Sequence, residues 1–309
     1  MKKYWLLASL AVVLGSCATG LKEYQQLTME ATLPSADTAD KKTASEGSNQ
    51  LDYLAETEAV LVRRLDGFGV ESAEVTSTSD PDRVIVRLPV DIDVETAKTI
   101  LTRRGQLYLR NEKPDNEEEL SSLIEELQRL LVEQNTLSQT EQTNEAAALT
   151  AKIEKKRNAI ANLFEPSQLT GDRLQSAKAV QEEGDIWAVS IQFDEQGAQM
   201  FAEQTKEMAG TGRAIGLFLD NVLLSTPIVD VAFVETGITG GEALIAGNFT
   251  EEGAKDLEIQ LDSGALPVYL KTVAVTSSAE VAEKQDKNSS GLDDKDAVEE
   301  KTAEEDSSE

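Results

Sequence analysis

The stretch from residue 237 to residue 270 constrains the fold of this chain more than any other part of it. Residues 243–247 are apolar on both faces of an extended segment, which predicts a buried strand. Thr250, followed by two glutamates, predicts a helix start, because its hydroxyl accepts a first-turn amide and the helix dipole favours acids there. One apolar stripe follows, formed by Ala254, Leu257 and Leu261. Gly264 then ends the helix.

A second strand-to-helix unit lies earlier in the chain. Phe193-Asp-Glu-Gln-Gly-Ala198 has the layout of Phe249-Thr-Glu-Glu-Gly-Ala254: an aromatic strand end, an N-cap, an acidic first turn and a Gly-Ala pair. Between the two units, residues 214–219 and 222–231 predict a hairpin turned at Asp220-Asn221. These patterns together predict an α+β domain.

This ordered series resembles the periplasmic head of SecD, the accessory subunit of the bacterial Sec protein-export machine. The resemblance covers residues 169–272. Besides the two units above, it is carried by Leu169-Thr-Gly-Asp-Arg-Leu174, Leu219-Asp-Asn-Val-Leu-Leu-Ser-Thr-Pro227, Ile238-Thr-Gly-Gly241, Ile245–Leu257 and Ser263-Gly-Ala-Leu-Pro-Val268. It implies a head that holds emerging preproteins and swings relative to a base.

Residues 51–113 predict that base. Helical spacing is shown by Leu54, Leu61 and Leu65, and strand alternation by Val84, Val86 and Leu88. A helix capped at Asp93 and a strand around Leu107 and Leu109 follow. Helix, strand, strand, helix, strand is the ferredoxin-like order lacking only its first strand. Residues 63–70 and 84–89 also resemble the base of the SecD periplasmic domain.

The predicted fold class is therefore α+β: a ferredoxin-like base subdomain, an inserted α+β head subdomain, and a helical hairpin insertion. The head occupies residues 166–272 and ends in a return strand to the base. Residues 18–50 indicate a polar tether, within which the alternating segment 27–33 is a possible first strand. SecD begins this region with a Gly-Leu-Asp-Leu-x-Gly-Gly motif, which is not found here.

Two helical patterns fill residues 114–165 and predict an antiparallel hairpin. The first runs through Leu120, Leu123, Leu127, Leu130 and Leu137, and the second through Ala146, Leu149, Ile153, Ile160 and Leu163. Two roles are open for this hairpin. It is either a protruding arm that contacts a partner or a packed insertion that spaces the base from the head.

Residues 1–17 predict a secretion signal: a basic start, an apolar run from Tyr4 to Leu14 that is too short to span a bilayer, and small residues. Leu14-Gly-Ser-Cys17 resembles the bacterial lipoprotein box, which implies that acyl chains such as palmitate are attached at Cys17. An ordinary signal with an incidental cysteine is the alternative. Ala18, where Asp would retain the protein at the inner membrane, favours the outer membrane. We expect a periplasm-facing, membrane-anchored lipoprotein.

Composition narrows the function classes. Acids outnumber bases by 57 to 29, and a surface with a formal charge of −28 repels phosphate backbones, which disfavours nucleic-acid binding. Histidine is absent, which excludes the Ser-His and Cys-His nucleophile pairs and the usual zinc and haem ligand. Cys17 is the only cysteine, so an internal disulfide is impossible. We expect no enzyme, no metal site and no cofactor. A hydrolase with paired carboxylates has no motif in this sequence.

From residue 273 to residue 309 the chain is hydrophilic and acidic, which predicts a disordered tail. SecD enters its membrane helices at this point. No later apolar run here approaches the ~18 residues that a transmembrane helix needs. We therefore expect neither a membrane channel nor proton-driven pumping.

Candidate functional residues follow from the resemblance. A hinge between base and head is expected at Pro114, Pro166, Gly171, Gly264 and Pro267. The helix after Phe193 carries Met200, Phe201 and Met208. This adaptable cluster is either a polypeptide-binding surface or simply core.

The leading hypothesis is a lipid-anchored, SecD-like envelope protein that binds exported or unfolded polypeptide and assists protein translocation. Sec translocon subunits are its further expected partners. The alternative, from another class, is an envelope scaffold that docks a folded partner through the helical hairpin and does not bind unfolded chains.

Overall fold

The computed structural model describes residues 23–33, 50–79, 82–137, 143–182 and 184–281. Cys17, the rest of the predicted signal, and most of the predicted tether and tail lie outside these ranges. Within them, the strands are antiparallel to their neighbours and form three sheets.

In chain order the helices and strands are β1 (Tyr24–Thr32), α1 (Gln50–Gly67), β2 (Glu74–Ser79), β3 (Asp82–Pro89), α2 (Val94–Thr102), β4 (Leu107–Asn111), α3 (Glu117–Leu137), α4 (Thr143–Asn162), β5 (Leu169–Thr170), β6 (Leu174–Gln181), β7 (Trp187–Phe193), α5 (Glu195–Met208), β8 (Ile215–Leu219), β9 (Val222–Ser225), β10 (Glu242–Phe249), α6 (Glu251–Asp262) and β11 (Tyr269–Ser277).

The base is a sheet with strand order β11-β1-β3-β2 that packs against α1 and α2. Alternate residues of β1 and β3 point into its core, namely Leu27, Met29, Ala31, Val84, Val86 and Leu88. Helix α2 begins where the sequence predicts, because the Asp93 carboxylate accepts a hydrogen bond from the Thr96 amide at 2.7 Å. Such a side-chain cap satisfies a first-turn amide that has no partner within the helix.

The chain order β1-α1-β2-β3-α2-β11 is that of the β-α-β-β-α-β motif, but the last strand differs from the prediction. Strand β4, which the sequence pattern assigns to the base, pairs instead with β5 and β8. Strand β11 takes its place beside β1 and runs to Ser277, beyond residue 273 where the predicted tail begins. Local alternation predicts a strand but not its partner, because pairing joins residues far apart in sequence.

The head contains two sheets, with strand orders β10-β7-β6 and β5-β4-β8-β9. Both sheets share one apolar core with α5 and α6. The predicted N-caps are confirmed, since Asp194 and Thr250 accept hydrogen bonds from first-turn amides at 2.7 and 3.1 Å. A carboxylate of α6 also covers the edge of β6, because Glu258 accepts from the Ala179 amide at 2.8 Å.

Helices α3 and α4 form the predicted hairpin, whose root packs on the head. Phe164 meets Phe218 of β8 edge to face, with the ring centroids 5.0 Å apart. Tyr108 and Phe218 point to the opposite face of their sheet from Leu109 and Leu217. The hairpin and the head core therefore lie on opposite sides of one sheet.

Candidate functional site

Two chain segments join the base to the head. Residues 103–106 connect α2 to β4, and residues 263–268 connect α6 to β11. The segments lie side by side, because the Leu266 amide donates to the Arg104 carbonyl at 2.8 Å. These two segments, together with Arg64 of α1, are called the base–head joint below.

Arg64 is buried, at 0% exposure, in the middle of this joint. Its guanidinium donates to the carbonyls of Ile100, Arg103, Arg104 and Gly264 and to the hydroxyl of Ser263. A guanidinium has five N–H donors in a fixed planar fork, so these five acceptors match its capacity. One side chain of the base thus binds both connecting segments.

Charged side chains also hold the backbone of the first connecting segment, residues 103–106. Burial lowers the pKa of Arg64 to about 10, an effect that Asp220 opposes and Arg63 strengthens. The side chain is therefore charged at neutral pH. Asp220, in the turn between β8 and β9, accepts from the amides of Gly105 and Gln106 at 3.2 and 2.9 Å. A cation and an anion thus hold the backbone of the same segment.

The joint contains two of the predicted hinge residues, Gly264 and Pro267. Gly171 lies beside Leu107, the residue that follows the first connecting segment. A Cβ added to Gly171 would be 3.2 Å from the Leu107 nitrogen. Pro114 and Pro166 lie elsewhere, at the root of the hairpin, where residues 111–113 and 163–165 run beside each other. The first connection is therefore not at Pro114, Pro166 and Gly171, as predicted, but at residues 103–106, because β4 belongs to the head.

The predicted polypeptide-binding cluster on α5 lies mostly in the core. Met208 is fully buried, and Phe201 is buried with its ring 5.6 Å from that of Phe193. Met200 is partly buried against the same core. In this conformation Phe201 and Met208 cannot contact a second chain, so for them the core interpretation applies.

An exposed apolar surface lies beside α5, on residues 228–234, and is called the apolar shelf below. Its exposed side chains are Ile228 at 63%, Val231 at 64%, Phe233 at 37% and Val234 at 45%. Single exposed apolar residues are common on protein surfaces, whereas several within seven consecutive residues are typical of an interaction surface. The shelf is therefore the strongest candidate surface of the head for an apolar ligand.

The shelf is fixed to the head by its flanks. Val229 is buried, and its carbonyl accepts from the Gly210 amide at 3.2 Å. The side chain of Asp230 caps the turn that follows it, at 2.8 Å. Beyond the shelf, Gly237 has φ +66°, and an added Cβ there would lie 1.8 Å from the Ala202 carbonyl oxygen. Only glycine permits this close approach, and a patch that is already ordered loses little entropy on binding.

Sequence reasoning missed the shelf because the predicted second hairpin strand extends from residue 222 to residue 231. The strand β9 ends at Ser225, and a 3-10 turn follows at Val231–Phe233. The available signal was Pro227, which has no N–H to donate to a strand ladder. The apolar run after that proline is the shelf.

Across the described ranges, no group of three or more Asp, Glu, His or Cys side chains is arranged to hold a metal ion. No helix in the part of the chain that the structure describes has the length and apolar character needed to cross a membrane.

Comparison with known proteins relates this architecture to protein export. Residues 139–268 match the family described as SecDF, P1 head subdomain. The chain is 38% identical over 227 residues to the protein translocase subunit SecD of Synechocystis sp., covering 72% of this chain and 48% of that protein. It is 31% identical over 257 residues to SecD of Prochlorococcus marinus, covering 72% and 51%. The chain thus spans about half the length of the curated relatives it matches.

Two solved structures share the fold. A crystal structure of SecDF in a super-membrane-facing form aligns with a TM-score of 0.59 and 23% identity, over 82% of this chain and 30% of that one. A chain from a study of the membrane component SecDF, which enhances protein export, aligns with a TM-score of 0.56 and 24% identity. That alignment covers 81% of this chain and 98% of the solved one. Residues 139–268 thus belong to the SecDF P1 head subdomain family, and the aligned part of the chain corresponds to a periplasmic region of SecD/SecDF.

Proposed function

We propose that this protein binds exported or unfolded polypeptide through the apolar shelf and assists protein translocation. It acts by binding and not by catalysis. The observation that carries the proposal is an exposed, ordered apolar patch on a head of the SecD/SecDF family. The curated relatives are named protein translocase subunits. Sec translocon subunits are accordingly proposed as further partners.

The physical basis of the binding is the burial of apolar side chains. An unfolded chain exposes such side chains, whereas a folded protein hides most of them. Burying a valine or isoleucine side chain completely contributes about 1.5–3 kcal/mol. The shelf residues Ile228 and Val231 are already more than half exposed, so each has roughly 1 kcal/mol to gain from a partner. The shelf therefore distinguishes unfolded clients from folded ones.

Fluorescence anisotropy with the purified full chain tests the proposal. The ligand is a labelled secretory polypeptide, presented once unfolded and once folded. We expect the unfolded form to bind more tightly. The double variant Val231→Ser/Val234→Ser should weaken that binding about tenfold, because two apolar contacts are lost.

The matched control is Val273→Ser/Val275→Ser on β11 of the base. These valines are exposed at 44% and 41%, so the control makes the same chemical change far from the shelf in sequence. It should leave binding unchanged. Equal affinity for folded and unfolded ligand, or equal weakening in both double variants, would remove the shelf as the binding site.

We further propose that lipid is attached at Cys17 and that the described domains face the periplasm. The lipoprotein box in the sequence supports it, together with the likeness to periplasmic SecD regions. Membrane fractionation of cells that express Cys17→Ser should show the protein leaving the membrane pellet. A variant that stays in the pellet and carries the same mass of lipid as the parent protein would contradict the anchor.

A further inference from the structure

Residues of both hairpin helices line a depression of about 390 Å³, within the size range of ligand-binding pockets. The lining residues are Glu126, Arg129 and Leu130 of α3 and Lys152, Lys155 and Lys156 of α4. The lysines are spaced at i, i+3 and i+4, which places them on one face of their helix. The two helices thus bring basic residues together from separate parts of the sequence.

Positive charge is in excess in this depression, although the protein has a formal charge of −28. Its carboxylate, Glu126, is already paired with Lys156, and the hydrogen bond from that lysine lowers the pKa of Glu126. Arg129 has a carboxylate of its own helix at 3.4 Å. Among the described residues, Lys152 and Lys155 take part in no ion pair. These two ammonium groups are therefore available to an anion.

Another depression on the same hairpin shows that this positive charge is local. It is lined by Glu117, Glu118, Ser121, Ser122 and Glu125. An anion is repelled there and attracted to the lysine-lined depression. The hairpin consequently has a basic side that differs from the acidic remainder of the protein.

Apolar surface adjoins the lysines. The wall of the depression is almost entirely carbon, from Leu130 and the aliphatic stems of the basic side chains. Basic residues beside exposed aliphatic ones are typical of helices that lie at a lipid interface. A small soluble anion would use the charge and leave the apolar surface uncovered.

We propose that this depression binds an anionic phospholipid at a membrane surface. Lys152 and Lys155 contact the phosphate with their ammonium groups, while Leu130 and the aliphatic stems of the wall lie against the apolar part of the lipid. The contact holds the hairpin, and with it one side of the head, at the membrane. It does not depend on the apolar shelf, which belongs to another part of the head.

Sedimentation of the purified full chain with lipid vesicles tests the site. Vesicles of neutral phosphatidylcholine are compared with vesicles that also contain phosphatidylglycerol. The apolar run from Tyr4 to Leu14 is the same in every variant, so the difference between the two compositions measures the charge-dependent contact. Lys152→Gln/Lys155→Gln should reduce the preference for phosphatidylglycerol about 30-fold, equivalent to ~1 kcal/mol for each lysine near an anionic surface.

The matched control is Lys178→Gln/Lys206→Gln, which removes the same charge from exposed lysines of the head. It should leave the preference unchanged, and circular dichroism checks that both double variants fold. An equal loss in both, or no loss in Lys152→Gln/Lys155→Gln, overturns the site. Calorimetric titration with inorganic phosphate separates the two sources of the anion. Saturable phosphate binding at these lysines, without any preference for phosphatidylglycerol vesicles, assigns the depression to a soluble anion and overturns the lipid assignment.

Discussion

The base–head joint and the root of the hairpin attach parts of the protein by different means. At the joint, Arg64 and Asp220 bind backbone groups of the connecting segments, and the guanidinium is fully buried. At the root, Phe164 lies edge-on against Phe218 within a small apolar cluster. The joint is made by charged side chains and backbone polar groups, whereas the root combines an apolar cluster with backbone hydrogen bonds between residues 111–113 and 163–165.

The two kinds of contact differ in how strictly they fix the relative orientation of the parts that they join. Hydrogen bonds from a planar guanidinium fix the positions of their acceptors, whereas burial of apolar surface is non-directional. The joint therefore sets the orientation of the head on its base. At the root, a short backbone bridge holds residues 111–113 beside residues 163–165, and the apolar cluster adds stability without a preferred direction. The proposed binding of a polypeptide by the head would use the angle that the joint defines, and the variants below test how each attachment contributes.

Arg64→Met should have the largest effect. It removes the donor of five hydrogen bonds, two of them buried and three part-buried, and a buried polar group that loses its partner costs about 1–3 kcal/mol. Because methionine restores part of the lost packing, we expect the free energy of unfolding to fall by roughly 3 kcal/mol or more. Urea unfolding followed by circular dichroism measures this change.

The neighbouring residue provides the control for this variant. Arg63 is exposed and donates to the Ser263 carbonyl at 2.9 Å, so Arg63→Met removes a cation from the same helix without opening a buried site. It should lower the free energy of unfolding by less than about 1 kcal/mol. Equal losses in the two variants would mean that Arg64 is no more important to the joint than a surface arginine.

Phe164→Leu tests the apolar root and should have the second largest effect. The substitution keeps an apolar side chain but removes the edge-to-face contact with Phe218, whose centroid is 5.0 Å away. Such a contact contributes about 0.5–1.5 kcal/mol beyond its burial, so a total loss of roughly 2 kcal/mol is expected. Hydrogen exchange should show lower protection in α3 and α4 and unchanged protection in the base. A loss of protection centred on the joint would contradict the separation of the two attachments.

Gly264→Ala tests the backbone of the second connecting segment. Gly264 has φ +85°, and an added Cβ would meet Arg63 at an ordinary 3.6 Å. The cost therefore comes from the left-handed backbone alone, about 1 kcal/mol. Gly253→Ala is the control, because its added Cβ also meets only one atom, at 3.4 Å, and its φ is not positive. Stabilities that match within ~0.3 kcal/mol would show that the joint does not depend on this conformation.

The helix starts could be predicted from neighbouring residues in the sequence. The burial of individual side chains and the pairing of strands far apart in the sequence could not. Asp93 and Thr250 cap their helices as predicted, because a cap involves residues only three apart. The partner of β4 and the shelf at residues 228–234 depend on the assembled head. Arg64 resembles a surface arginine in sequence, yet Val60, Leu61 and Arg64 are all buried on one side of α1. Its position within that apolar stripe was the available signal.

A change at the N-terminal cap of α2, Asp93, should have the smallest effect on stability. The carbonyl of Ile100, near the C-terminus of this helix, accepts from Arg64, whereas its N-terminus is capped by the exposed Asp93. Hydrogen bonds from Thr96 lower the pKa of Asp93 below its ordinary 3.8. A depressed carboxyl pKa contributes stability that is present above the unfolded pKa and is lost as the pH falls through the folded value.

Asp93→Asn keeps a capping oxygen and removes only the charge, so the variant should be slightly less stable than the parent protein at neutral pH. Urea midpoints measured at a series of pH values should converge on acidification below pH 3.8. A difference that persists unchanged at acid pH would assign the effect to the geometry of the cap and not to its charge.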